Sequence, residues 1–250
     1  MDDFLDDDQL LRYSRQIMLP QVDIAGQAAI SAASVLIIGA GGLGNPAAMY
    51  LAAAGIGRLT LVDDDSVDLT NLQRQVAFTT DQVGEAKVQA LRDQLLKNND
   101  SIQIDVITQR LTEAALIKQI ESASVVLDCT DNFDSRFLIN RCCWQAGKPL
   151  VSAAAIGFEG QLSVYHPEKA DSPCYQCLYG DVESHELTCS ENGVLGPVVG
   201  VMGVLQALEA IKLEAGIGQP LVGKLQVFDA LSHEWRSIKL KKDPKCSVCS

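Results

Sequence analysis

The sequence predicts an α/β fold in which a mostly parallel sheet carries helices on both faces. Three observations predict it: apolar runs alternate with helical segments up to about residue 155, glycines follow the first run, and later runs have the texture of antiparallel strands. With 250 residues, 47% hydrophobic and 21% charged, the chain is long enough to bury a large core. We expect a single domain, with an α/β part over 1–155 and an elaboration of it over 156–250.

The elements of the first part follow from their local composition. The segment 34–44 is a short apolar strand that runs into glycines, and the Ala-rich helix after it tolerates Pro46 in its first turn. The next apolar run ends in an acid, and together these elements make a βαβ unit. The predicted strands are 58–63, 102–108, 124–128 and 149–153, and the predicted helices are 45–54, 86–97, 113–120 and 133–146.

After residue 155 the pattern changes. The runs QLSVY at 161–165, KLQVF at 224–228 and EWRSIKL at 234–240 predict antiparallel strands. A loop is predicted over 180–193, and a helix within about 198–214.

The charge balance excludes some functions. The net charge is −12, which argues against a general nucleic-acid binder because such proteins carry a basic stripe. The segment 1–8 has five Asp and no basic residue, unlike a signal or transit peptide. The longest apolar run, 194–208, is interrupted by Gly and Pro and is too short to span a bilayer. We expect a soluble, cytoplasmic protein with no membrane partner.

A glycine turn after the first strand predicts a nucleotide site. Gly39, Gly41 and Gly44 satisfy G-x-G-x-x-G, with Gly42 in addition, and residues without a Cβ allow a tight turn and close approach of phosphate. Asp63 ends the next strand, where a carboxylate accepts ribose hydroxyls. The fingerprint predicts a Rossmann-like nucleotide-binding part, and alone it suggests NAD or FAD. The alternative is a tight turn with an unrelated surface acid.

Cations and a further acid favour a triphosphate instead. Arg74 lies in NLQRQ at 71–75, Lys87 lies just beyond, and Arg15 lies in RYSRQ near the N-terminus. Cations in this pattern are candidates for clamping a triphosphate. The alternative is that each lies on a solvated helix face. Asp131 follows a buried strand at the edge where α/β sheets bind ligands, and is a candidate for Mg²⁺. Its position also fits the alternative of a helix N-cap.

Paired cysteines predict a metal site. Cys174 and Cys177 form one C-x-x-C, and Cys246 and Cys249 form another. Four thiolates suit tetrahedral Zn²⁺ in a structural role, with a redox pair as the alternative. The single cysteines at 129, 142 and 143 are expected to pack as small apolar residues.

The motifs GAGGLG, VDDD, NLQRQ and LDCTDN, followed by two C-x-x-C pairs, resemble the ThiF/MoeB group of the ubiquitin-activating superfamily. The resemblance covers nearly the whole chain, from RYSRQ to CSVC. It implies an ATP-dependent adenylyltransferase. In that group, the C-terminal Gly-Gly carboxylate of a small ubiquitin-fold sulfur-carrier protein attacks the α-phosphate of ATP, giving an acyl adenylate and pyrophosphate.

The resemblance also implies roles for individual residues. Cys189, in LTCSENG, aligns with a loop cysteine that joins the activated carrier during sulfur transfer in thiamin-pathway relatives. Arg15 would reach the triphosphate of the neighbouring subunit, which implies a homodimer. The remaining implied roles are Asp63 at the ribose, Gly42 at the phosphate turn, Asn71, Arg74 and Lys87 at the phosphates, Asp131 at Mg²⁺ and Asn132 beside it.

Several alternatives stay open at this point. VDDDSV and QVAFTT look nearer to the thiamin-pathway member, and VGEAKVQALRD to the molybdopterin-pathway member, with thiamin slightly favoured. No rhodanese-like extension follows Cys249, so we expect a separate sulfur-donor protein. An NAD-dependent oxidoreductase is a remoter alternative, because no second mononucleotide half is evident. A catalytically silent dimerising scaffold is another, although such subunits usually lose the arginine and aspartate positions retained here.

Overall fold

A computed structural model describes residues 5–180 and 193–250. Its eight strands form one sheet in the order β3-β2-β1-β4-β5-β6-β7-β8. The strands are β1 Ser34–Ile38, β2 Arg58–Val62, β3 Gln103–Ile107, β4 Val125–Asp128, β5 Leu150–Ile156, β6 Glu159–Tyr165, β7 Lys224–Asp229 and β8 Glu234–Lys239. The helices are α1 Asp7–Arg12, α2 Ser14–Ile17, α3 Asp23–Ala32, α4 Gly44–Ala54, α5 Lys87–Asn98, α6 Glu113–Glu121, α7 Phe133–Gln145, α8 Tyr175–Tyr179 and α9 Gly196–Glu214.

The sheet changes direction at β5. Strands β3, β2, β1, β4 and β5 pair in parallel, and β5 to β8 pair antiparallel. Helices cover both faces, since alternate side chains of β1 enter different cores: Val35 and Ile37 pack in one, and Leu36 in the other. The first core includes residues of α4, α5 and α9, and the second includes residues of α6 and α7. The predicted fold class is therefore confirmed.

Strand ends differ from the prediction where β5 and β6 meet. The predicted strands end at 153 and resume at 161, whereas the observed hairpin pairs Ile156 with Glu159. Gly157 has a φ of +56°, which permits the tight connection. Cross-strand pairing here overrides the weak strand propensity of the Ala- and Gly-rich sequence.

Helix α9 is the longest helix of the described chain. Among residues 5–180 and 193–250 it is the one helix long and apolar enough to cross a membrane by length and composition, and 44% of that window is buried. It packs against α4, β5 and β6, where Val199, Met202 and Ala207 join the first core. These contacts are those of a core helix in a globular protein.

Candidate active site

A cleft of about 780 Å³ opens at the carboxyl ends of β1, β2 and β4. This is the edge at which open α/β sheets bind ligands, because the strand order reverses there. Most of the predicted site residues line it: Gly39, Gly41, Gly42, Asp63, Asn71, Arg74, Lys87, Asp131 and Asn132. Gly44 and Arg15 do not line it, and Cys189 lies outside the described residues.

The glycine turn is held by the acid at the end of β2. Asp63 accepts the backbone N–H of Ala40 at 2.7 Å and that of Asp65 at 2.9 Å, one on each carboxylate oxygen. Burial raises the pKa of Asp63, and the charge of Lys87 and the two backbone N–H groups oppose that rise. Each oxygen keeps a lone pair that can accept a hydrogen bond from a ligand hydroxyl.

Three glycines are required for different reasons. Gly39 has a φ of +96°, a conformation that side chains disfavour. A Cβ on Gly44 would collide with the carbonyl oxygen of Gly39, so Gly44 serves the turn itself and does not reach the cleft. A Cβ on Gly42 would lie 2.6 Å from Cγ1 of Val199, so this glycine lets the turn pack against α9.

Arg74 is oriented by its own neighbour in the chain. Its Nη2 donates to Oδ1 of Asn71 at 2.6 Å. Asn71 ends a short 3₁₀ turn, Leu69–Asn71. Asp68 caps the start of this turn by accepting the N–H of Thr70 at 2.7 Å. The guanidinium is thus placed on the cleft wall before any ligand binds.

Lys87 begins α5 and forms an asymmetric ion pair with Asp65. Its Nζ lies 2.6 Å from Oδ2 of Asp65, and the exposed fractions of the two side chains are 6% and 68%. The lysine stem is therefore enclosed while its carboxylate partner faces solvent. An anion in the cleft can share the ammonium, because that group has three donors.

Asp131 is exposed at the cleft, and its neighbour caps the helix. Asn132 accepts the N–H of Ser135 at 2.9 Å through Oδ1, so Asn132 is the N-cap of α7. The alternative that Asp131 is the N-cap is wrong. The Asp131 carboxylate accepts one weak bond, from Nδ2 of Asn132 at 3.3 Å. A solvent-accessible carboxylate of this kind suits a hard cation such as Mg²⁺.

Comparisons with known proteins show the family to which the chain belongs. Residues 13–248 match the ThiF family. The chain belongs to the ThiF family. The sulfur carrier protein ThiS adenylyltransferase of Escherichia coli K12 is 49% identical over 245 residues, covering 98% of this chain and 97% of that protein. The molybdopterin-synthase adenylyltransferase of Salmonella typhimurium is 46% identical over 245 residues, covering 98% of each.

A solved structure provides a comparison of the fold. The crystal structure of E. coli MccB with ATP superposes with a TM-score of 0.81 at 25% sequence identity, covering 100% of this chain and 76% of MccB. This ThiF-family chain therefore has the fold of a protein whose structure was determined with ATP.

Three cleft residues of the ThiF-family chain were missed by the sequence analysis. Arg110 follows β3 and lines the cleft, because β3 lies beside β2 in the sheet. Gln75 is buried, and its place in the quoted NLQRQ motif was a usable signal. Arg136 lies on α7 and is 4% exposed, and the sequence near it carries no comparable mark.

Arg15 lies away from the cleft of its own chain. It is exposed on α2, where its nearest described polar partner is Sδ of Met18 at 3.9 Å. Within one chain it therefore contributes nothing to the cleft, and its predicted role concerns a neighbouring subunit.

The four paired cysteines converge at a separate site. Their sulfur atoms all lie within 4.8 Å of one another, and three of the pairs measure 3.3, 3.6 and 3.9 Å. A tetrahedral Zn²⁺ with bonds of about 2.3 Å separates its sulfurs by about 3.8 Å, so the donor set fits that ion. Cys177 also accepts the N–H of Asp243 at 3.4 Å, which is typical of a metal-bound thiolate. The cluster is Cys174, Cys177, Cys246 and Cys249.

The other described cysteines pack as predicted. Cys129, Cys142 and Cys143 are buried in the two cores. Burial raises the pKa of each thiol, so none is a ready nucleophile.

Proposed function

We propose that this chain adenylates the C-terminal Gly-Gly carboxylate of a ubiquitin-fold sulfur-carrier protein, using ATP and releasing pyrophosphate. The observation that carries this proposal is the convergence of Arg74, Lys87 and Asp131 around the glycine turn that Asp63 supports. Relatives at 49% and 46% identity are named as adenylyltransferases for two such carriers.

The cleft residues account for binding of the nucleotide. Asp63 accepts the ribose hydroxyls, and the turn beside it offers backbone N–H groups and the N-terminus of α4 to the phosphates. Arg74 and Lys87 neutralise the triphosphate, which otherwise repels an incoming carboxylate. Mg²⁺, which Asp131 would hold with Asn132 beside it, supplies further neutralisation of the phosphate oxygens.

The chemical step then needs positioning more than acid–base catalysis. The carrier's carboxylate is already ionised at neutral pH, so it attacks the α-phosphate without a general base. Holding its flexible tail beside the nucleotide makes the encounter nearly unimolecular. No observation on the described residues favours the NAD-dependent oxidoreductase. The presence of Arg74, Lys87 and Asp131 in the cleft argues against a silent scaffold.

The carrier is identified by an exchange assay. We expect label from pyrophosphate to enter ATP when Mg²⁺ and one carrier are present, with the thiamin-pathway carrier preferred over the molybdopterin synthase small subunit. Deleting the carrier's terminal Gly-Gly abolishes the exchange. Exchange without any carrier, or bound ATP without exchange on either carrier, contradicts the proposal.

The active enzyme is proposed as a homodimer in which Arg15 serves the partner's cleft. An Arg15→Ala protomer and an Asp131→Ala protomer each lack one half of the site. If the sites are shared, mixing the two inactive variants restores up to about a quarter of the activity through mixed dimers. No recovery after verified subunit exchange contradicts sharing.

Sulfur transfer is proposed to follow in the cytoplasm, with a separate protein as sulfur donor. Cys189 is proposed to accept the activated carrier, its thiolate forming a bond to the acyl carbon of the adenylate as AMP leaves. A Cys189→Ser enzyme then forms the adenylate but does not complete sulfur transfer, and full sulfur transfer by this variant rejects the role.

A further inference from the structure

A buried arginine holds the backbone from which Asp131 extends. Arg136 lies on the first turns of α7 and is 4% exposed. Its Nε and Nη2 donate to the carbonyl oxygen of Thr130 at 3.2 and 2.6 Å. That carbonyl belongs to the peptide unit that joins Thr130 to Asp131. Two donors from one planar guanidinium therefore fix the orientation of the peptide on which Asp131 is built.

The same segment is fixed from its other side by a buried acid. Oδ1 of Asp128 accepts the backbone N–H of Thr130 at 3.0 Å and its Oγ1 hydroxyl at 2.7 Å. Oδ2 of Asp128 accepts the hydroxyl of Ser152 at 3.2 Å. Asn132, one residue beyond Asp131, is fixed as the N-cap of α7. Asp131 is thus held between two anchored residues while its own carboxylate faces the cleft.

Arg136 has two separable tasks in this arrangement. Its charge offsets that of buried Asp128, whose pKa burial raises and Arg136 lowers. Its planar pair of donors sets the direction of the Thr130 carbonyl. A lysine at this position keeps the charge but, as a compact ammonium on a flexible stem, does not reproduce the two parallel donors.

We propose that Arg136 is a positioning residue that sets the place of the Asp131 carboxylate for the divalent cation of the nucleotide complex. This rests on the proposed function for the identity of the nucleotide, ATP. Residues that orient a metal-binding group through a second layer of contacts typically change metal affinity or activity by about 10–100-fold when altered.

The test is the Mg²⁺ dependence of ATP binding to the full-length enzyme, which requires no carrier. In Arg136→Lys we expect the half-saturating Mg²⁺ concentration at fixed ATP to rise about 10-fold. Binding of ATP in excess chelator stays unchanged, because Asp63 and the glycine turn are untouched and the lysine keeps the positive charge of Arg136 at the cleft wall. Arg141→Lys on the same helix is the matched control, since its guanidinium meets Glu113 at 3.8 Å and both side chains are about half exposed.

A double-substitution cycle separates positioning from a general structural effect. In an Asp131→Asn background, Arg136→Lys no longer shifts the Mg²⁺ dependence, because the carboxylate it positions is gone. Should Arg136→Lys fail to fold, Asp128→Asn with Arg136→Gln removes both buried charges together. Its Mg²⁺ dependence is compared with that of Asp128→Asn alone, because Asp128 also anchors Thr130, and the further shift carries the same expectation.

Three results overturn the proposal. The first is an unchanged Mg²⁺ dependence in folded Arg136→Lys protein. The second is a loss of ATP binding in excess chelator as large as the loss in Mg²⁺, and the third is a shift in Mg²⁺ dependence that persists in the Asp131→Asn background. A failure of the adenylation proposal shows differently, as ATP bound normally with Mg²⁺ but no exchange with any carrier.

Discussion

Replacing Lys87 by Gln separates the electrostatic role of this lysine from its role in the fold. The substitution removes an ammonium whose side chain is 6% exposed and leaves its partner Asp65 unpaired, but Asp65 is 68% exposed and gains water in its place. Buried Asp63, whose pKa Lys87 also lowers, keeps its two backbone N–H bonds in the variant. The stability cost is therefore close to that of a surface pair, about 0–1 kcal/mol. Removing one member of a fully buried pair lowers the free energy of unfolding by about 3–5 kcal/mol, which is a much larger effect.

The effect on activity is expected to be much larger than the effect on stability. A hydrogen bond to a charged group contributes about 1.5–3 kcal/mol, which corresponds to a loss of about 10–150-fold in kcat/KM for ATP. The assay is ATP–pyrophosphate exchange with saturating carrier, alongside thermal unfolding. Lys97→Gln, an exposed lysine in the last turn of the same helix, is the control and stays near wild type.

Two results would refute this reasoning. Exchange by Lys87→Gln within twofold of wild type means that the ammonium does not meet the triphosphate. A fall in Tm large enough to unfold the protein at the assay temperature means that the pair supports the fold and that its contribution to stability is not that of a surface pair.

Three other predictions concern the acids and the cysteine cluster. Asp131→Ala folds, because the helix cap is Asn132, but loses exchange; near wild-type exchange in Mg²⁺ refutes its role. Because burial raises the pKa of Asp63, its carboxylate protonates at a higher pH than that of an exposed acid, and nucleotide affinity falls as pH drops through that raised pKa. Asp63→Asn lacks this pH step, and calorimetric titration of ATP at several pH values checks it. Protein purified under reducing conditions is expected to contain about one zinc per chain by metal analysis, and Cys246→Ser lowers both the zinc content and the Tm. If removing the metal leaves the Tm unchanged, the structural role is contradicted.

The parts of the site that sequence could predict are those built from neighbours in the chain. The glycine turn and Asp63 follow from one βαβ unit, and Arg74 is oriented by Asn71 three residues earlier. The four cysteines were predictable because thiolate pairs in two turns suit one metal and few other purposes.

Other features depend on geometry that residue types do not encode. Asp131 and Asn132 are both competent caps, and only the start of α7 at Phe133 decides between them. The role of Arg136 depends on a backbone carbonyl, and any residue has one. Arg110 reaches the cleft because β3 runs parallel to β2 and ends on the same side of the sheet, which is a property of topology.

The hydrogen bond from Ala40 to Asp63 links the two halves of the proposed nucleotide site, the acid for the sugar and the turn for the phosphates. The acid that would read the ribose already supports the turn that would receive the phosphates, so the cleft is preorganised and little ordering entropy is lost when a nucleotide arrives. A substitution of Asp63 that changes the sugar subsite therefore also removes a support of the phosphate turn. A change of cofactor in evolution would require both subsites to change together.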